Sequence, residues 1–93
     1  MPMTPRLARW IGEHCPGRGD LIVRRLSQLS VPLQDEPEER ILAAVAMLGE
    51  GDPRRFEEAV RLAQLDWRDV LVAAGLADGR FPARLDDLLG PAN

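Results

Sequence analysis

Lysine and tyrosine do not occur in this chain, and cysteine and histidine occur once each, as Cys15 and His14. A lone cysteine excludes an internal disulfide, and with it the cysteine framework that holds many small secreted folds together. A lone histidine excludes metal sites built from histidine clusters, and no CxxC, HExxH or DxDxDG loop is present. Side-chain hydroxyls are confined to Thr4, Ser27 and Ser30. Nucleophilic catalysis needs a nucleophile and a base that meet in space. His14 and Cys15 are consecutive, and on a helix their side chains diverge by about 100°, so they share neither a proton nor a metal. His14 reads as a packed or helix-end histidine and Cys15 as a small buried side chain. Asp86 and Asp87 are also adjacent and do not face each other. No catalytic residue, metal ligand or cofactor-binding residue is expected, and the chain is read as a non-enzyme without a cofactor.

Long apolar runs are missing too. The longest, Ile41 to Leu48, has eight residues, against the ~20 needed to cross a bilayer. The opening Met-Pro-Met-Thr-Pro has no signal-peptide core. No membrane association is expected, and a cytoplasmic location follows as the default. Strand signals are absent as well: no stretch alternates apolar and polar residues with β-branched enrichment.

What is present suits an ordinary globular chain, 45% hydrophobic and 29% charged. Ninety-three residues fit one domain spanning 1–93, with 1–4 and 91–93 expected to fray. Every cation is an arginine, which fits a GC-rich, bacterial-type coding bias. Charge is unevenly spread. Residues 1–30 carry five arginines against Glu13 and Asp20, whereas the remainder carries seven against thirteen acids. Attraction to a polyanion would have to come from the first third.

Helix signals recur throughout. Leu7, Trp10, Ile11 and His14 share one face of a helix at about 5–14, ended by Cys15-Pro16-Gly17. A helix at about 20–29 can use Asp20 as its cap and bury Ile22, Leu26 and Leu29, with Val31-Pro32 as its stop. Asp35, Glu36, Pro37, Glu38 and Glu39 then form a start signal for a helix at about 37–49, closing on Gly49 or Gly51. Asp52-Pro53 opens a helix at about 53–64 that buries Phe56, Ala59, Val60 and Ala63. Asp66 caps one at about 67–75, ended by Gly75 or Gly79, with Asp69 completing a weak capping box. A last helix, about 82–89, starts at Pro82, buries Leu85, Leu88 and Leu89 and stops at Gly90-Pro91. The fold expected is all-α, a small irregular bundle of five to six short helices.

Two of these helices are apolar all round. Ile41 to Leu48 cover every direction about their axis, which puts the helix at 37–49 at the centre of the bundle. In the helix at 67–75, Trp67, Val70, Leu71 and Ala74 form one face while Val72 and Ala73 lie on the other. A domain this small surrounds one helix fully and rarely two. Either another helix covers Val72, or that side is an apolar patch that pairs with another molecule, a two-fold homodimer being the commonest form.

These features point to a protein-interaction or oligomerisation module whose partner is a protein, with Trp67, Val70, Val72 and Ala73 as the candidate interface. The alternative is weak nucleic-acid binding through Arg6, Arg9, Arg24 and Arg25 as phosphate contacts. The pair of helices around Leu65-Asp66 has a helix-turn-helix outline, but Trp67, Arg68 and Asp69 followed by apolar residues make a poor base reader. Pro16-Gly17-Arg18-Gly19-Asp20 resembles a phosphate loop only superficially, since Asp20 stands where the anion would sit. A small enzyme or metal-binding protein is the least supported reading.

Overall fold

Each helix boundary traces to a particular residue. A computed structural model describes residues 3–29, 38–50 and 52–90. Among these, six helices and no strand occur. Helix α1 (Pro5–His14) opens on a proline, whose missing N–H costs nothing in a first turn, and buries Leu7, Trp10 and Ile11. Helix α2 (Gly19–Ser27) begins earlier than its acidic residue suggests: Arg18 is the cap, and its carbonyl accepts from Ile22 N at 3.1 Å. Asp20 therefore lies inside the first turn, where its charge still opposes the positive helix end. Leu29 falls past the end of α2 but remains buried.

Helix α3 (Glu38–Leu48) carries Glu38 and Glu39 in its first turn. The start signal at Asp35, Glu36 and Pro37 lies outside the described residues, as do the stop at Val31-Pro32 and the fraying expected at residues 1, 2 and 91–93. Helix α4 (Pro53–Leu65) is capped as expected, the Asp52 carboxylate accepting from Arg54 N at 2.9 Å and Arg55 N at 3.4 Å. Asp66 alone separates α4 from α5 (Trp67–Ala74) and caps the latter by accepting from Arg68 N at 3.1 Å. Gly75 ends α5 with φ 76°, a left-handed conformation that a Cβ disfavours, and Leu76 N closes back onto Leu71 O at 2.9 Å. Helix α6 (Phe81–Leu89) starts one residue before Pro82, after a turn in which Asp78 accepts from Arg80 N, and stops at Gly90.

The bundle closes around α3, which packs against α1, α4, α5 and α6. Ile41, Leu42, Ala43, Ala44 and Val45 are all fully buried, on every side of the helix. Each such leucine, isoleucine or valine contributes roughly 1.5–3 kcal/mol relative to exposure. The α3–α4 corner is tight: a Cβ on Gly49 would lie 2.6 Å from the Phe56 Cα, so only glycine allows this approach. Helix α2 rests mainly on α1 and stands at the margin of the bundle.

Candidate interaction surfaces

The four arginines proposed as phosphate contacts have different fates. Arg6 is largely buried, its side chain 10% exposed, and it ties three helices together. It donates to Glu39 from Nε at 3.0 Å and Nη2 at 2.5 Å, and from Nη1 to Asp86 at 2.6 Å and to the Gly90 carbonyl at 2.9 Å. Arg9 donates to the Leu89 carbonyl at 3.0 Å. Both thus satisfy carbonyls that α6 leaves unpaired at its negative end. Arg25 bridges from α2 to Glu57 of α4 at 3.3 Å. Arg24 is exposed on α2. Arg6 thereby holds α1, α3 and α6 together, while Arg9, exposed on α1, adds one bond to the end of α6.

Glu39 also accepts from the Thr4 hydroxyl. The hydrogen-bonded Arg6 guanidinium holds the Glu39 carboxyl below its ordinary range; burial opposes this and Thr4 reinforces it. Reciprocally, Glu39 first and Asp86 second raise the Arg6 guanidinium. This cluster has no local sequence signature, because Arg6 and Glu39 lie 33 residues apart. Arg40 was hidden for the same reason. It is buried, donates to the Leu76 carbonyl at 2.8 Å and lies 3.9 Å over the Phe81 ring. Arg84 likewise donates to the Gly75 carbonyl at the end of α5.

The proposed interface on α5 divides between inside and outside. Val70 is fully buried against the core, so its side chain is unavailable to a partner, and Trp67 is half-buried beside Arg68. Val72 is 67% exposed and Ala73 is exposed, with charged Arg68 and Asp69 also exposed on this helix. Among the described residues, no other helix covers Val72. Leu65, at the α4–α5 corner, is 80% exposed. On α6, Leu88 turns partly outward rather than packing fully with Leu85 and Leu89.

An open apolar groove lies between α2 and α4. With a volume of about 340 Å³, it is lined by Leu21, Ile22 and Gln28 of the α2 region and by Pro53 and Phe56 of α4, with Arg18, Arg24, Arg25 and Glu57 supplying its charge. Ile22 and Phe56 are buried and form its floor; Leu21 stands 63% exposed. The Arg25–Glu57 pair spans the two helices. Sequence patterning missed this site, because it follows only the face of Ile22, Leu26 and Leu29 and passes over Leu21. A second depression, at the α1–α2 turn, is lined by Gly12, Cys15, Gly17, Gly19, Asp20 and Leu21.

His14 ends α1 exposed, stacked on Trp10 with ring centroids 4.2 Å apart and Nδ1 2.9 Å from the Trp10 carbonyl. Cys15 is buried. Among the described residues, no group of three or more histidine, cysteine, aspartate or glutamate side chains is placed to hold a metal, and no helix is long and apolar enough to cross a membrane. Comparison with protein-family models, with curated proteins and with solved structures finds no match for this chain.

Proposed function

We propose that this protein is a protein-interaction module and that the groove between α2 and α4 is its binding surface. One observation carries the reading: Leu21, a large apolar side chain, stands 63% exposed at a groove floored by Ile22 and Phe56. Apolar surface in a concave site recovers more free energy on burial than scattered exposed residues do, because a partner side chain can be enclosed there. The volume lies at the small end of ligand and anchor pockets. The chemistry around it suits recognition, with guanidinium groups at the edge of an apolar floor.

Nuclear magnetic resonance with amphipathic helical peptides tests this reading. Shifts that concentrate at Leu21, Ile22 and Phe56 and disappear in Leu21→Glu are expected. Peptide binding that leaves these residues unmoved would overturn it. Leu21 is exposed, so the variant should fold, and circular dichroism checks that it does.

A second reading is favoured by the exposed Val72 and Ala73: a two-fold homodimer through α5. Light scattering over a concentration series tests it. A dimer that Val72→Glu dissociates is the expected result, and a strict monomer excludes it.

A further inference from the structure

Resting on the groove reading above, we infer that the occupant is an acidic amphipathic helix of a partner protein, its apolar stripe seated over Leu21, Ile22 and Phe56 and its carboxylates meeting Arg24 and Arg25. Charge complementarity carries the choice. Among the described residues, Arg24 and Arg25 line the groove against one acid, Glu57, on a chain whose net charge is −3. The groove is therefore a cationic place on an anionic protein, and it selects a partner segment that combines negative charge with apolar anchors.

The local geometry supports the same partner. Arg24 is exposed on α2, in position to meet a carboxylate without first giving up a buried contact. Arg25 is paired with Glu57, but at 3.3 Å, with side chains 38% and 53% exposed, and a pair of that kind adds little to stability. An arriving carboxylate can share or take over the Arg25 fork at little cost. Beyond Pro53, Arg54 and Arg55 are exposed in the first turn of α4 and extend the positive field, while the nearby Asp52 carboxylate is held on the amides of that turn. A helix fits better than an extended strand, since the groove runs between two helices and no sheet edge occurs among the described residues.

A nucleic acid is the competing occupant of an arginine-bearing groove. The observations favour a peptide, because the apolar floor of Ile22 and Phe56 takes aliphatic anchors, which an amphipathic helix carries and a nucleic acid does not. The acids on the rest of the chain would repel a long polyanion, whereas a short acidic helix meets only the local field.

Fluorescence titration of the full chain separates these outcomes. The probes are two helical peptides with the same leucine stripe, one flanked by glutamates and the other by arginines, together with a single-stranded oligonucleotide. The acidic peptide should bind at least about tenfold more tightly than the basic one. Raising salt should narrow that gap, and Arg24→Glu should reverse much of it while leaving the helical spectrum intact. Equal binding of both peptides, abolished by Leu21→Glu, would overturn the acidic partner and leave the groove reading standing. Failure of both peptides would overturn the groove reading as well. Oligonucleotide binding that is stronger than that of the acidic peptide and lost in Arg24→Glu would assign the surface to nucleic acid. Self-association lost in Leu21→Glu would make the occupant a second copy of the chain.

Discussion

Helices α3 and α5 have similar compositions and opposite fates. Both present apolar residues on all sides, yet α3 is enclosed on every face while α5 buries Val70 and Leu71 and leaves Val72 and Ala73 in solvent. The difference is one of supply. A chain of 93 residues has enough surface to wrap one helix, and α1, α4, α5 and α6 are spent on α3. Apolar surface stays open at α2 on the margin, on the outer side of α5, and at Leu65 and Leu88 near the ends of α4 and α6. The outside of this protein is thus shaped by what its centre consumes.

Substitutions along the two helices sharpen that contrast. The largest effect is expected in the centre: Leu42→Ala should cost about 3–4 kcal/mol in urea denaturation, because its fully buried side chain leaves a cavity that four neighbouring helices cannot close together. Next comes the clasp around α3. Arg6→Met removes the bonds to Glu39, Asp86 and the Gly90 carbonyl and should cost about 2–3 kcal/mol, with Glu39 left under-satisfied.

Glu39→Gln should cost about 2 kcal/mol near neutral pH, and its pH dependence gives a sharper signature. The folded-state carboxyl lies below its unfolded value, so its contribution is complete above the unfolded pKa and fades as pH falls through the folded one. The stability difference between the original chain and Glu39→Gln should therefore shrink on acidification. A difference that stays constant would mean that Glu39 acts through shape rather than charge. The smallest effect belongs to the outer side of α5, where Val72→Ser should change stability by no more than about 0.5 kcal/mol.

Local chemistry made most of the fold legible in the sequence. Asp52 and Asp66 cap the helices they precede, Pro53 opens its own, and Gly75 and Gly90 close theirs. These devices act over a few residues, so spacing alone reveals them. Asp20 misled because the α1–α2 turn lets Arg18 cap first, leaving the acid inside the helix. The surface was much less legible. Arg6 and Arg9 look like free cations until the end of α6 is brought beside them, about 80 residues along the chain. The α2–α4 groove arises in the same way, from the placing of Phe56 beside Ile22 and Leu21. Patterning tells which side chains are apolar; only packing decides which of them the chain has partners left to cover.

The most direct test introduces one and the same charge into each of the two helices. Ala44 of α3 is fully buried and Ala73 of α5 is exposed. Urea unfolding of Ala44→Glu and Ala73→Glu, followed by circular dichroism, compares the same substitution at the two sites. A carboxylate without a partner in the centre should abolish the cooperative transition, while at Ala73 the midpoint should stay close to that of the original chain. Equal tolerance at both sites, or equal collapse, would contradict an enclosed α3 and an open outer face on α5.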